Sequence, residues 1–291
     1  MIVIKLQGGL GNQMFQYAFG RSLAKRLNTE LYLDITTLEN TTPTPGFTYR
    51  KYELDTLNIK AKIADKKILR AVAAYPKHRF GFYRMRLLKS LGIVQHLNEK
   101  SFSYDADIPG LIRRNTFLTG FWQSEKYFQD VASDIRRELE LPQPHHHQNI
   151  LYQQLIQNKN SVSLHVRRGD YVGNATHPVC SIEYYQQAIN IIQKDITDPV
   201  FFIFSDDSGW VANNMVINNE SYIIDHNKTN SAADMYLMSQ CKHHIIANSS
   251  FSWWAAWLNS AENKKVIAPQ KWFTNSLTDT KDLIPHTWTI I

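Results

Sequence analysis

Apolar residues along the chain fall into two patterns, short runs typical of buried strands and spaced positions typical of helices. At the N-terminus the run Ile2 to Leu6 predicts a strand, a glycine-rich turn follows, and a helix is predicted from about Asn12 to Leu27. A second strand is predicted from Leu31 to Asp34. This order is a βαβ unit, so we expect the chain to open with an α/β domain.

The same alternation returns farther along the chain. Strands are predicted at Thr116 to Phe121, Ser161 to Val166, Val200 to Ser205, Tyr222 to Ile224 and His244 to Ala247. Helices are predicted over Phe128 to Leu139, over Ile182 to Gln193 and after Ser231, which with Asp234 forms a capping pair.

Prolines interrupt this pattern between Pro142 and Asn149, and we interpret that segment as a linker. A chain of 291 residues is long enough for two domains at about 100–200 residues each. We therefore expect two Rossmann-like α/β domains, residues 1–144 and 145–291, that face each other across a ligand cleft.

The composition is that of an ordinary globular protein, apart from one strongly basic stretch. The hydrophobic share of 43% excludes a disordered chain. The formal net charge of +6 is concentrated, because Lys60 to Lys89 contains ten basic residues and one acidic residue, a local charge of +9. The two cysteines, Cys180 and Cys241, are too few for a disulfide framework or a zinc knuckle.

The strongest chemical signal follows the strand that ends at Val166. His165 and Arg167 share one face of that strand, and Arg168 stands where Gly169 lets the chain turn. Two guanidinium groups at the carboxyl end of a parallel strand suit the oxygens of a diphosphate. The alternative is a surface arginine pair bridged to Asp170.

A second candidate site lies at the first turn. Gly9 and Gly11 follow a strand and open a helix, so backbone N–H groups there can receive an anion or a sugar. Asn12 and Gln13 add uncharged amides that can bond hydroxyl groups. The alternative is a tight turn in which the glycines serve close packing, since Met14 stands where a dinucleotide-binding motif has Gly or Ala.

Further polar residues follow two later strands. Asp206 can accept hydrogen bonds from a nucleoside, although a helix N-cap and an acidic metal site with Asp207 are alternatives. Ser249 and Ser250 begin a helix and can cap it or contact phosphate. The tryptophans of that helix are assigned to the core, and the histidines 145–147 to a solvated linker rather than a metal site.

Four segments together resemble the α-1,2-fucosyltransferases of glycosyltransferase family 11, in the order the family has them. They are Gly8 to Ala18, His165 to Tyr171, Phe204 to Asp207 and Asn248 to Trp254. Gly120 to Phe128 also looks like the family's middle segment. The short chain resembles the bacterial members.

The resemblance implies a GT-B-like fold, GDP-β-L-fucose as donor, and inversion to an α-1,2 linkage on a galactoside without a metal or another cofactor. It implies that Arg167 and Arg168 hold the diphosphate and that His165 and Asp206 place the nucleoside. By the same resemblance Ser249, Ser250 and Phe251 line the donor pocket, and Asn12 reaches the fucose from the N-terminal, acceptor-side domain.

The general base has no secure candidate in the sequence. Asp170 is adjacent to the arginines and is our candidate, but it serves equally well as a structural partner of Arg168; His177 is a distant alternative. The acceptor is left open as well. Specificity is expected in the segments Thr41 to Tyr52 and Gly92 to Asn115.

The basic stretch allows several partners. We favour docking on an anionic membrane that carries lipid-linked acceptors, over a solvated helix face and over nucleic acid, for which no base-reading motif is present. With no signal peptide or membrane span recognised, we expect a cytoplasmic protein, peripheral on the inner membrane. Two further functions stay open: a GDP-sugar transferase with another donor or linkage, and a non-catalytic carbohydrate-binding protein.

Overall fold

The chain forms two compact units, described here from a computed structural model that covers residues 1–40, 49–73, 79–275 and 278–291. Unit 1 comprises Met1–Leu139 together with Asp279–Leu283, and unit 2 comprises Glu140–Thr278 together with Ile284–Ile291. The return of the short segment 279–283 to unit 1 has no signal in the sequence pattern. Residues 41–48 of the predicted specificity loop, and Lys77 of the basic stretch, lie outside the described residues.

Unit 1 is built on a five-stranded sheet in the order β3-β2-β1-β5-β4, with every pair of neighbours parallel. Its elements are β1 (Ile2–Lys5), α1 (Leu10–Arg26), β2 (Leu31–Asp34), α2 (Thr36–Glu39), β3 (Lys62–Ile63), α3 (Lys66–Val72), α4 (Arg79–Ser90), β4 (Gln95–Asn98), α5 (Ile108–Leu111), β5 (Thr116–Thr119) and α6 (Ala132–Glu138). The basic stretch is therefore an edge strand and two helices.

Unit 2 is built on a six-stranded parallel sheet in the order β11-β10-β9-β6-β7-β8. Its elements are α7 (His147–Asn158), β6 (Asn160–Val166), α8 (Ile182–Asp195), β7 (Pro199–Ser205), α9 (Ser208–Asn214), β8 (Ser221–Ile224), α10 (Ser231–Gln240), β9 (His243–Ile245), α11 (Ser250–Leu258), β10 (Val266–Ala268) and β11 (Thr289–Ile290).

The central strands β6 and β7 determine where the polar residues of unit 2 meet. Both are almost entirely buried, as expected for parallel strands covered by helices on both faces. They pair in register from Asn160 opposite Pro199 to Val166 opposite Ser205. The residues that follow Val166 and Ser205 therefore leave the sheet at the same edge.

Two helix starts differ from the sequence prediction. Asn230, not Ser231, caps α10, since its side-chain oxygen accepts a hydrogen bond from the Ala233 N–H at 3.1 Å. Asp234 instead accepts a hydrogen bond from the Asn227 amide at 2.9 Å. The predicted helix over Phe128 to Leu139 is also shorter, with two 3-10 turns before α6.

The predicted buried residues of α11 are confirmed, because Trp253 and Trp254 are fully buried and Trp257 is nearly so. Cys180 and Cys241 are both buried, free thiols. Within the described ranges, no helix is both long enough and apolar enough to cross a membrane.

Candidate active site

Five charged residues, Arg167, Arg168, Asp170, Asp206 and Asp207, meet at the edge of the unit 2 sheet where β6 and β7 end. Arg167 forms two ion pairs, from Nη1 to Asp206 Oδ2 at 2.9 Å and from Nη2 to Asp170 Oδ1 at 2.5 Å. The second oxygen of Asp206 accepts a hydrogen bond from the Arg168 backbone N–H at 2.8 Å. Asp206 therefore ties both arginines to the end of β7.

The two arginines are not equivalent. Arg168 places its guanidinium carbon 3.9 Å from the centre of the Trp210 ring, and its Nε donates to Asp207 Oδ2 at 3.2 Å. In the described part of the chain, its two Nη atoms have no hydrogen-bond partner. Arg168 thus offers an oriented pair of donors to an anion, whereas both Nη atoms of Arg167 are engaged by carboxylates.

Gly169 allows the close approach between the β6 and β7 ends. A Cβ atom at this position would lie 2.5 Å from Asp206 Oδ2 and 3.0 Å from its Cγ. Real Cβ contacts are essentially never this short, so any other residue at position 169 has to displace the Asp206 carboxylate. The glycine is a geometric requirement of the ion-pair network.

Helix α9 is capped by Asp207, which corrects the alternative that Asp206 caps it. Asp207 Oδ1 accepts a hydrogen bond from the Trp210 N–H at 3.1 Å while its other oxygen contacts Arg168. The cap therefore fixes the helix that carries Trp210 beneath the Arg168 guanidinium. Asp207 and Trp210 have a site role that the sequence reasoning missed, although an acidic residue before a helix is the usual signal of an N-cap.

His165 lies at the buried end of β6. Burial, with the nearby Arg167 charge as a second cause, lowers its pKa to about 3, so the imidazole is neutral at physiological pH. Its ring lies 5.7 Å from the Phe251 ring, between centroids. Ser249 caps α11 by accepting the Phe251 N–H at 3.3 Å, and Ser250 is the first residue of that helix. The structure thus brings His165 and Phe251 together.

An aromatic stack beside Arg167 was not foreseen from the sequence. The Arg167 guanidinium lies 5.3 Å from the Tyr171 ring centre, Tyr171 stacks on His177 at 4.9 Å, and His177 contacts the Phe273 ring at 5.1 Å. Burial lowers the pKa of His177. His177, distant from the arginines in sequence, is one aromatic ring away from Arg167 in the structure.

In unit 1, the first turn is held by amide side chains. Gly8 has φ +79°, which favours glycine, and Gly9 precedes α1, which includes Gly11 in its first turn. Gln13 donates to the carbonyls of Gly8 at 2.9 Å and Lys51 at 2.7 Å, and accepts the Glu53 N–H at 3.0 Å. Gln13 therefore ties the turn at Gly8 to the chain at 51–53, with one donor on each and its carbonyl oxygen on Glu53.

Asn12 is oriented by a neighbour from the end of β5. Its Oδ1 accepts a hydrogen bond from Gln123 Nε2 at 2.8 Å. Gln123 follows Trp122, a non-glycine residue with φ 57°, a conformation that costs of order 1–3 kcal/mol. Glu99 supports it by accepting the Phe121 and Trp122 N–H groups at 2.7 and 2.9 Å. β5 ends at Thr119, two residues before the predicted Phe121.

The whole chain, residues 1–291, matches the family model described as Glycosyl transferase family 11. The chain belongs to glycosyl transferase family 11.

Curated relatives of this family 11 chain include two proteins of Escherichia coli that match nearly end to end. An alpha-1,2-colitosyltransferase is 34% identical over 99% of this chain and 98% of its own length. The O-antigen biosynthesis glycosyltransferase WbnK is 33% identical over 93% and 94%. The galactoside alpha-(1,2)-fucosyltransferase 2 of Sus scrofa is 28% identical over 57% of this chain and 52% of its own length.

Solved structures with a similar fold support the predicted fold class. Fucosyltransferase NodZ from Bradyrhizobium has a TM-score of 0.50 at 16% identity and covers 88% of this chain and 91% of its own. FUT1 of Arabidopsis thaliana has a TM-score of 0.50 at 14% identity, with 99% and 75% covered. The predicted GT-B-like class of this family 11 protein, with two Rossmann-like units, is confirmed.

A cavity of about 350 Å³ lies in unit 2, outside the ion-pair network. Its lining includes the side chains of His145, His146, Asn149, His226, Asn227 and Asn230. His146 stacks on His226 at 5.7 Å between ring centroids. Its polar groups are partly engaged with one another, because Asn149 and Asn227 bond each other at 2.9 and 2.8 Å and His226 Nε2 lies 2.7 Å from Asn149 Oδ1.

No group of three or more His, Cys, Asp or Glu side chains is arranged to hold a metal ion in the part of the chain that the structure describes. Asp206 and Asp207, the acidic pair considered from the sequence, instead bind Arg167 and Arg168. That transfer proceeds without a metal stays a prediction.

Proposed function

We propose that the protein transfers L-fucose from GDP-β-L-fucose, with inversion, to the 2-hydroxyl of a terminal galactoside. The observation that carries the proposal is the Arg168 guanidinium at the end of β6, which is fixed on Trp210 and whose Nη atoms have no hydrogen-bond partner among the described residues. Ligands of open parallel sheets bind at the carboxyl ends of strands. The sugar and the galactoside are taken from the name of the fucosyltransferase relative, and the α-1,2 linkage from its name and that of the colitosyltransferase.

The proposed reaction places negative charge where the Arg168 guanidinium can stabilise it. The bond between fucose C1 and the β-phosphate oxygen breaks and its electron pair stays on GDP. The acceptor oxygen bonds to C1 from the opposite face, and its proton passes to water. Negative charge grows on the diphosphate as the bond breaks. A fixed cation at that point stabilises the transition state more than the bound donor.

We assign the remaining residues around this step. Unit 2 binds the nucleotide, with Arg167, His165 and Asp206 placing it. Its neutral imidazole lets His165 form a hydrogen bond without adding charge. Ser249, Ser250 and Phe251 line the donor pocket at the start of α11.

Unit 1 is assigned to the acceptor and to the transferred sugar, through Asn12 and the turn with Gly9 and Gly11. Since Gln123 donates to Asn12 Oδ1, the amide of Asn12 is held with its nitrogen away from Gln123. From this fixed position Asn12 is assigned a contact with the transferred sugar. Gln13, Gly9 and Gly11 are proposed to contribute to donor binding, with Gln13 held by its hydrogen bonds to the backbone of 51–53.

Colitose is the second candidate donor, and the colitosyltransferase relative is the specific observation in its favour. Colitose is L-fucose without the 3-hydroxyl group. A site that bonds that hydroxyl rejects the analogue strongly, whereas a site that does not bond it discriminates weakly. The ratio of kcat/KM for the two donors therefore shows whether the site bonds the 3-hydroxyl group of the sugar.

The proposal is tested by incubating the protein with lactose, a chelator and either GDP-L-fucose or GDP-L-colitose. We expect transfer from GDP-L-fucose at the higher kcat/KM, undiminished by the chelator, because guanidinium groups supply the positive charge. A higher kcat/KM with GDP-L-colitose would make colitose the donor sugar, and the protein would remain a glycosyltransferase. GDP binding without transfer or donor hydrolysis would favour a non-catalytic carbohydrate-binding protein.

Asp170 is expected to act through Arg167 rather than as the base. Its carboxylate is paired with Arg167 Nη2 at 2.5 Å, so Asp170→Asn should loosen Arg167 and lower kcat by about tenfold. The measurement is the pH dependence of kcat for both proteins. An unchanged profile is expected; loss of the acidic limb in the variant would identify Asp170 as the general base.

We propose that transfer takes place on the inner face of a membrane, on a lipid-linked galactoside. The support is the local charge of +9 between Lys60 and Lys89, since each basic residue near an anionic bilayer contributes about 1 kcal/mol. On this view the protein is cytoplasmic and peripheral. No role in nucleic-acid binding is proposed for the stretch.

A further inference from the structure

Helix α4 exposes large apolar side chains on the surface of unit 1. Phe82, Tyr83 and Leu87 are 61%, 55% and 58% exposed, and Leu91, just beyond the helix, is 62% exposed. Protein surfaces rarely leave a contiguous set of such side chains in water unless it marks an interaction site. Charge alone, the basis of the sequence prediction, does not account for them.

Two of these side chains, Tyr83 and Leu87, belong to one face of a helix that is packed on the other. Met85 is buried, and Leu88 packs against the apolar cluster to which Met85 belongs. Tyr83 and Leu87 are one helical turn apart and share the face away from that cluster. The apolar ridge of Tyr83 and Leu87 is thus a fixed part of the surface.

Exposed basic side chains lie on the same helix as the ridge and on the neighbouring helix α3. Arg84, Arg86 and Lys89 of α4 are exposed, as are Lys66, Lys67 and Arg70 of α3. Helix α3 contributes Leu69 and Val72 to the same apolar cluster as Met85, so both helices lie on one side of the unit 1 sheet. Asp65, the one acidic residue of the stretch, is engaged as the N-cap of α3.

We propose that α4 lies in the interface of an anionic phospholipid bilayer, with Phe82, Tyr83, Leu87 and Leu91 inserted and the basic residues of α3 and α4 on the headgroups. An apolar ridge flanked by Lys and Arg is the arrangement of interfacial helices. Nucleic acid would satisfy the charges but leave Leu87 and Leu91 in water. The inference rests on the proposed membrane location and not on the donor sugar.

Sedimentation with vesicles tests the insertion, using phosphatidylcholine alone and phosphatidylcholine mixed with phosphatidylglycerol, each at low and high salt. The variant Arg84→Gln/Arg86→Gln/Lys89→Gln should lose about a hundredfold in affinity for the anionic vesicles. The variant Phe82→Ser/Leu87→Ser/Leu91→Ser should lose about tenfold or more in affinity for the anionic vesicles. It should also lose the binding that the parent retains at high salt.

The matched control is Lys194→Gln/Lys228→Gln/Lys242→Gln, which removes the same charge from exposed lysines of unit 2 and should bind like the parent protein. Thermal unfolding midpoints, measured without vesicles, identify any variant that fails to fold. A second apolar variant, Leu87→Gln alone, retains most of the helix surface and should show a smaller loss in the same direction.

Three results would overturn the inference. If the apolar variants bind like the parent while the basic variant does not, contact is purely electrostatic and α4 does not insert, although the membrane location stands. Equal binding of the parent to neutral and anionic vesicles would contradict both proposals. Failure of the parent to bind either kind of vesicle would also contradict both proposals. If the parent then binds an RNA oligonucleotide and the basic variant does not, the basic surface binds nucleic acid instead. None of these outcomes depends on sugar transfer.

Discussion

Replacing Arg168 by alanine is expected to lower kcat by about 10²–10³-fold, equivalent to about 2.7–4 kcal/mol of transition-state stabilisation. The expectation follows from geometry. Arg168 stacks on Trp210 and bonds Asp207 through Nε, and among the described residues its Nη atoms have no partner, so they can bind an anion. Since charge on the diphosphate is greatest in the transition state, the loss should appear in kcat more than in the dissociation constant of GDP.

Steady-state kinetics with GDP-L-fucose and calorimetry with GDP measure the two quantities separately. Arg168→Lys keeps the charge without the planar fork and should recover part of kcat. Arg137→Ala serves as a control, because Arg137 also pairs with an aspartate but is 68% exposed and far from these strands in sequence. A normal kcat in Arg168→Ala would remove the guanidinium from the reaction.

Gly169→Ala is expected to lower kcat/KM by about tenfold to a hundredfold without removing any functional group. The added Cβ would lie 2.5 Å from Asp206 Oδ2, so the carboxylate must move away from Arg167 and from the Arg168 N–H. Overpacking of this kind costs typically about 1–3 kcal/mol, so the free energy of unfolding should also fall.

Gly209→Ala is the matched control, because Gly209 lies in α9 of the same unit and a Cβ there meets nothing within 4 Å. It should leave kcat/KM unchanged and leave stability unchanged or slightly raised. Kinetics and chemical denaturation of both variants provide the comparison. If Gly169→Ala and Gly209→Ala behave alike, Asp206 does not position the arginines.

The sequence sufficed to place the arginines, and the reason is topological. Parallel strands end at a common edge, so a polar motif after Val166 and another after Ser205 had to converge once both runs were recognised as neighbouring strands. The buried tryptophans of α11 were predictable for a similar reason, since an almost uninterrupted apolar helix has to lie in the core.

Roles within the site depended on details that a sequence pattern does not contain. Whether Asp206 or Asp207 caps α9 depends on backbone angles at the end of β7, and the structure shows Asp207. The contact of His177 with Phe273 joins residues from distant parts of the chain. The difference between Arg167 and Arg168 arises from which carboxylates reach which guanidinium.

The apolar ridge of α4 escaped the sequence reasoning for another reason. Apolar residues occur on both faces of this helix, so periodicity alone could not tell the buried Met85 from the exposed Leu87. Packing against the cluster with α3 settles which face is covered. The count of basic residues located this surface but did not indicate that it carries exposed apolar side chains.

The linkage of the product tests the central claim most directly. The protein is incubated with GDP-β-L-fucose and a series of terminal galactosides in the presence of a chelator, and the products are characterised by NMR. We expect a fucosylated galactoside with a new α-1,2 linkage, formed by the parent protein and lost in proportion to kcat in Arg168→Ala. The absence of a fucosylated product with every galactoside, from a protein that binds GDP, would contradict the account.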